Sequence, residues 1–371
     1  MHRSLVHTWR QALLLTALTL LAALAANLVP AQDSSEAESK LQVHGFLSQA
    51  YATTNQHQLL GIPEDGTVDY RNAALQFRYA MSPKDTFVIQ LAHDRLGKSP
   101  LMAVTEEVSL DWAFYEHAFS DGLSVKVGRV QLPQGIYNEI RDVGTILPFY
   151  RPPSDLYWEG SYATEAFDGA LVSKTFGAGK AWSLVADAYY GGWDLNALDS
   201  GQILSGNIED AYGIQLWLTT PVEGLRVGWG GTRARMTGAA PLPAGRVSRW
   251  QASLDGDFAK LRVSTEYQQT QYALGTSAGY YGFLGYRVLP KLGVNLQASR
   301  THEDLTVGPY SVDADASRDY ALGLSYAFRP DLVVKAEHHW ADSRALEDIP
   351  SGAFLPSVKV RYAILSLAAS F

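Results

Sequence analysis

From about residue 41 to the C-terminus one pattern repeats: apolar positions alternate with polar or small ones at a period of two. Over 72–79, Ala73, Leu75, Phe77 and Tyr79 share a face, opposite Asn72, Ala74, Gln76 and Arg78. Tyr212, Ile214, Leu216 and Leu218 likewise oppose Gly213, Gln215 and Trp217, and Tyr320, Leu322, Leu324, Tyr326 and Phe328 oppose Ala321, Gly323, Ser325 and Ala327. Such alternation predicts strands with one apolar face, because successive side chains of an extended chain point to opposite sides. After residue 31 no segment of ten or more residues carries a helical period of 3.6.

The connections alternate too. Short turns rich in Pro, Gly and Asp fall at 82–85, 120–122, 177–180, 221–224, 255–257, 290–293 and 329–331. Between successive turns lie two strands and a longer polar loop. This predicts sixteen strands, at 41–52, 68–81, 86–95, 106–119, 123–130, 166–176, 181–190, 209–219, 225–235, 247–254, 260–272, 279–289, 292–302, 318–328, 332–341 and 358–371. An even number of antiparallel strands, with short turns at one end and long loops at the other, is the layout of a transmembrane antiparallel β-barrel. A secreted β-sandwich is the alternative, but it has no need of that strict alternation. Aromatics near strand ends, among them Tyr79, Phe87, Phe119, Phe176, Trp182, Tyr190, Phe328 and Trp340, suit girdles at two membrane interfaces.

Composition sharpens this. A charged fraction of 18 %, below the ~25 % usual for globular domains, accompanies 20 Tyr and 32 Gly. Arg3 and Arg10 precede an apolar run at 12–26 and small residues up to Ala31, so residues 1–31 read as a signal peptide. An N-terminal anchor is the alternative. Residues 32–40 form a polar tether and 41–371 the barrel. No Cys is present, which excludes a disulfide scaffold and a cysteine nucleophile. A net charge of −8 argues against a nucleic-acid partner.

Catalytic and metal motifs are weak. His338 and His339 are adjacent on a strand and so point to opposite faces; His44, His57, His93, His117 and His302 are scattered. Gly177 to Lys180 mimics the end of a phosphate-binding loop, but Ala181 replaces its Ser or Thr, so a turn is expected. Asp313, Asp315, Ser317 and Asp319 alternate as calcium ligands would, without the central Gly of such a loop. No catalytic residue, metal or cofactor is expected. A barrel enzyme or adhesin acting through its loops is the rival class.

The sequence Val125-Lys126-Val127-Gly128-Arg129, followed by Leu132-Pro133-Gln134-Gly135-Ile136-Tyr137-Asn138-Glu139-Ile140-Arg141-Asp142 and Phe149-Tyr150-Arg151-Pro152-Pro153, resembles the stretch where Gram-negative porins leave their fifth strand and enter the pore loop. The strand plan is similar to that of the sixteen-stranded trimeric porins, and the local flavour to the phosphate-selective porin O and P group. The resemblance implies an outer-membrane homotrimer, a passive pore for small polar solutes, and a third loop folded into the barrel. A terminal Phe371 resembles the signal that such proteins present to the barrel assembly machinery.

These readings give expectations for the site. Sixteen strands leave a water-filled lumen. Its wall would carry Arg78, Arg226, Arg262, Glu266, Lys335 and Glu337, hydrated along its length, so that Gln215→Arg would be tolerated where Leu216→Arg would not. Loop 131–165 is too long for an ordinary connection. Its Val143, Ile146, Leu147, Phe149 and Tyr150 would pack on the wall while Glu139, Arg141, Asp142 and Arg151 project to form the narrowest point. With acids Glu139, Asp142, Asp155, Glu159 and Glu165 against two Arg, an anion trap is in doubt, and a transverse field with modest selectivity follows.

Overall fold

The alternation resolves into strands that pair in chain order and close on themselves. The computed structural model describes residues 40–157, 164–199, 201–238, 244–349 and 354–371; the predicted signal peptide and nearly all of the tether lie outside the described residues, as does Glu159. The strands are β1 (Leu41–Thr54), β2 (Thr67–Ala80), β3 (Asp85–Leu96), β4 (Ser109–Ala118), β5 (Leu123–Gln131), β6 (Ala166–Phe176), β7 (Ser183–Asp199), β8 (Gln202–Thr219), β9 (Leu225–Thr237), β10 (Gly245–Phe258), β11 (Leu261–Tyr272), β12 (Gly275–Leu289), β13 (Leu292–Val307), β14 (Tyr310–Arg329), β15 (Leu332–Ser343) and β16 (Val358–Ser370). Each pairs with the next, and β1 closes on β16. The closing register runs from Phe46 opposite Ser370 to Thr54 opposite Tyr362. Beyond it, Phe371 N–H donates to the Gly45 carbonyl (2.9 Å) and Gly45 N–H to that of Phe371 (3.1 Å). The Phe371 ring lies over Gly45, 2.5 Å from where a Cβ would sit.

Cross-strand partners show which face is which. Leu284, Leu296 and Leu322 form one outward row across β12, β13 and β14, and Leu75, Leu91 and Leu110 another across β2, β3 and β4. All six are 40–49 % exposed. An apolar outer wall of this extent needs a nonaqueous partner, and a closed barrel, which leaves no unpaired edge, can span a bilayer. Exposed aromatics flank the band, with Tyr51, Tyr190, Tyr280, Tyr320 and Trp340 toward one end and Tyr79, Phe87, Phe119, Phe176, Trp182 and Phe328 toward the other. Leu322→Arg should therefore cost ~2–4 kcal/mol of folding free energy in lipid. Val222→Arg, in the β8–β9 turn, should cost much less; equal shifts in urea refolding midpoints would place the apolar wall away from lipid.

Every predicted strand is present, but the loops differ from expectation. The β7–β8, β11–β12 and β13–β14 connections are two residues each, because the strands run on into long hairpins. The alternation that should have revealed this is interrupted by register shifts at Gly191/Trp193 and Thr301/His302. Gly177 to Lys180 is a turn, with Lys180 N–H on the Gly177 carbonyl at 2.9 Å. The alternating aspartates do not form one site: Asp313 and Asp315 both meet the His302 imidazole (2.8 and 3.1 Å), Asp315 also meeting Arg300, while Asp319 meets His339 (2.7 Å) and Tyr362 (3.1 Å).

The inner wall corrects a further expectation. Ser264, Glu266, Lys335 and Glu337 do face inward, but they are 0–5 % exposed rather than hydrated. From β3 to β10 the inner side also carries an apolar cluster that includes Val88, Phe114, Val130, Phe167, Trp193 and Met236. Something fills much of the lumen.

Candidate functional site

The filling is the β5–β6 connection. Its first turn is built on glycine: Gly135 has φ +60°, and a Cβ there would lie 2.5 Å from a Glu266 carboxylate oxygen. That approach lets Ile136 N–H donate to Glu266 Oε1 at 2.9 Å. The same carboxylate accepts the hydroxyls of Ser253 (2.6 Å), Tyr281 (3.0 Å) and Tyr157. A carboxylate this buried is held by its number of donors. Beside it, Gln134 donates to Gln268 (2.9 Å) and accepts from Arg249 (2.6 Å), and Gly135 N–H reaches Gln215 Oε1 at 3.3 Å. Gln215 thus faces inward as its register predicted, but it meets the loop and not water, so an arginine there would displace the loop rather than be tolerated.

Further along, the loop meets the opposite wall. Asn295 donates to the Pro148 carbonyl (3.0 Å), Lys335 Nζ to that of Phe149 (2.7 Å), and Tyr150 N–H to Glu337 Oε1 (2.5 Å). Phe149 sits over Gly323, where a Cβ would come 2.7 Å from its ring. Behind Glu337, His339 lies between the carboxylates of Asp319 and Glu337, its ring stacked on Tyr362 at 4.2 Å. The helical turn Ser154–Tyr157 rests on β12 and β13, with Asp155 Oδ1 accepting from Thr301 at 3.1 Å. Thr145 meets Ser370 at 3.1 Å, and Asn72 donates to Asp142 at 2.8 Å. Contacts to strands on all sides of the barrel hold this loop across its interior. Leu147, Phe149 and Tyr150 pack as expected, whereas Ile146 is 47 % exposed.

Of the four residues expected at the narrowest point, two do not project there. Arg141 is 4 % exposed. It pairs with Glu165 (2.9 Å) and donates to the Tyr157 carbonyl (2.6 Å), fastening the loop's start to its end. The reason is geometric: Asn138, whose amide bonds the Leu132 and Thr164 carbonyls (2.9 and 3.0 Å), turns the chain so that residue 141 points back into the loop's own base. Arg151 lies over the rings of Tyr70 (4.7 Å) and Tyr150 (5.6 Å). Glu139 is exposed, and Asp142 borders an opening. Burial, together with Glu165, Asp94 and Asp111, pushes the Asp142 carboxyl well above the usual carboxylate range.

The expected basic wall lies near the short turns. Arg78 approaches Glu116 (4.0 Å), and Arg226 pairs with Asp255 (2.9 Å) while its guanidinium lies over Trp217 at 4.3 Å. Arg262 reaches the Ile146 carbonyl at 3.4 Å. Each of these cations has an acceptor, so they do not converge as an anion trap would. Glu266, Lys335 and Glu337 are anchors of the loop rather than a hydrated wall, and sequence reasoning missed Arg249, which holds Gln134, Gln215, which holds the Gly135 N–H, and Thr301, which holds Asp155, as further anchors.

Solved structures share this fold. OmpF of Salmonella typhi, solved with daunomycin, superposes with a TM-score of 0.63 at 13 % identity, over 89 % of this chain and 97 % of that one. It has the fold of the sixteen-stranded porins. An anion-selective porin from Comamonas acidovorans gives a TM-score of 0.59 at 12 % identity, over 89 % and 99 % of the two chains. The outer-membrane channel DcaP of Acinetobacter baumannii gives 0.57 at 11 % identity, over 92 % and 100 %. No family model matches the sequence, and no curated protein does either. The porin fold is thus carried by a sequence only 11–13 % identical to these three.

Proposed function

We propose that the protein is a porin of the Gram-negative outer membrane, a passive channel for small hydrophilic solutes or ions. The observation that carries this reading is the loop fixed across the lumen of an apolar-walled barrel by buried partners on opposite walls, Glu266 on β11 and Lys335 and Glu337 on β15. Such a loop narrows a pore without moving. A substrate-selective anion channel is less favoured, since Arg141 is spent on Glu165 and Arg151 lies against tyrosine rings. By analogy of fold, lipid surrounds the barrel and three copies assemble. Purified protein in a planar bilayer should give stepwise ionic conductance; an enzyme or adhesin barrel with a sealed lumen would give little.

Phe371 is the proposed assembly signal. Deleting it removes two backbone hydrogen bonds at the closing seam and exposes the gap beside Gly45. The expected result is reduced outer-membrane level with normal synthesis and export, read by fractionation. Wild-type levels would leave Phe371 a seam residue only.

A further inference from the structure

The loop does not fill the lumen evenly. Against β1–β4 an opening of about 310 Å³ remains between the loop and the inner wall, bordered by His44, Gln76, Gln90, Trp112, Glu139 and Asp142. Among the described residues no Lys or Arg borders it. The Trp112 indole N–H, in a side chain 6 % exposed, has no hydrogen-bond acceptor among the described residues.

The charges behind the opening have an unusual balance. Oxygens of Asp111, Asp142 and Glu165 lie within 4.8 Å of one another. The hydrogen bonds to Asp142 and Asp111 that face them across the wall come from neutral amides, Asn72 (2.8 Å) and Gln90 (2.8 Å), the latter itself bonded by Gln76 (3.1 Å). Arg141 is engaged by Glu165, and Arg129 gives its Nε–H to the Asp111 carbonyl (2.8 Å) while pairing with Asp168 (3.3 Å). The charges that act on Glu139 are those of Lys126, whose ammonium stands 5.2 Å over the Phe114 ring, Asp187 and Arg226. A narrow path edged by acids and amides, in low-dielectric surroundings, raises the local concentration of cations.

We propose that solutes pass the loop along the β1–β4 wall and that this opening makes the channel prefer cations, including small amine- or guanidinium-bearing solutes, with Glu139 and Asp142 determining the preference. This rests on the channel reading above. Asp142 faces Glu165, Asp94, Asp111, Arg141 and Asn72, and His44 shares the opening. Burial and its acidic neighbours hold the Asp142 carboxyl above the usual carboxylate range, so raising pH through that range ionises it and cation preference should strengthen as pH rises.

The test is the reversal potential of the full-length mature protein in planar bilayers under a potassium chloride gradient. Wild type should be cation-preferring. The E139Q/D142N variant should lower the cation-to-anion permeability ratio by roughly twofold or more, and R226Q/R262Q should move it less. Because the chain has no Cys, Val143→Cys, at a residue that also borders the opening, offers a second measurement that leaves the acids in place: a cationic thiosulfonate reagent should reduce conductance several-fold faster than an anionic one. No conductance from wild type would overturn the channel reading and this inference with it. Anion preference, a ratio moved by R226Q/R262Q but not by E139Q/D142N, or equal modification rates at residue 143 would overturn this inference and leave the channel standing.

Discussion

Glu266→Ala should release the loop. The substitution leaves four donors without their acceptor: the Ile136 N–H and the hydroxyls of Tyr157, Ser253 and Tyr281, all at a buried site. A buried donor left unsatisfied costs ~1–3 kcal/mol, and water entering the vacated space recovers part of that. The loss falls on the loop's attachment rather than on the barrel, whose ladder of backbone hydrogen bonds does not involve the side chain. Single-channel records should therefore show larger, noisier conductance with frequent transitions, while the folded barrel keeps its migration in unheated gels. Glu266→Gln retains an acceptor and should fall between. Quiet, wild-type conductance from the alanine variant would mean that Lys335, Glu337 and Asn295, on the far wall, suffice to hold the loop.

Much of the barrel was legible because the outer wall has a single solvent. Leu75, Leu296 and Leu322 must all be apolar, so their alternation with inward residues survives in the sequence and fixes register as well as topology. Where the strands rise beyond that band, the β13–β14 hairpin is largely polar and its period of two fades, while in the β7–β8 hairpin the alternation of Trp193 and Leu195 with Asp194 and Asn196 is set out of step by the register shift at Gly191/Trp193; there the extended strands read as loops. The inner wall posed a different difficulty. Glu266, Lys335 and Glu337 were correctly placed on inward faces, but alternation says only which way a side chain points, not whether it meets water or another segment's backbone. The clue that it meets the loop was divided between distant positions. The loop is rich in Leu147, Phe149 and Tyr150, and the wall offers Gly323, whose missing side chain makes room for Phe149. Neither half is informative alone.

Arg141 illustrates the same limit and gives the sharper test. On charge alone, Arg141→Glu is a selectivity mutation that should make the pore more cationic. In the folded loop it is a structural one. The guanidinium is 4 % exposed, joins residue 141 to Glu165, and caps the Tyr157 carbonyl at 2.6 Å. Replacing it sets a carboxylate against Glu165 and near Asp142 and Asp111, a group already crowded enough to hold the Asp142 carboxyl well above its ordinary range. Removing one partner of a buried pair costs about 3–5 kcal/mol, chiefly because the remaining charge is left uncompensated. Arg141→Glu should therefore lower the urea midpoint of the folded channel and destabilise the loop's base. Arg141→Lys, which keeps the charge but loses the second hydrogen bond, should be milder. Arg151→Glu, by contrast, should leave the Arg141–Glu165 pair and the loop's base intact, so the two arginines should separate cleanly in stability. If Arg141→Glu instead keeps the wild-type midpoint and only shifts the reversal potential, residue 141 lies in the permeation path and the loop's base is held by Asn138 alone.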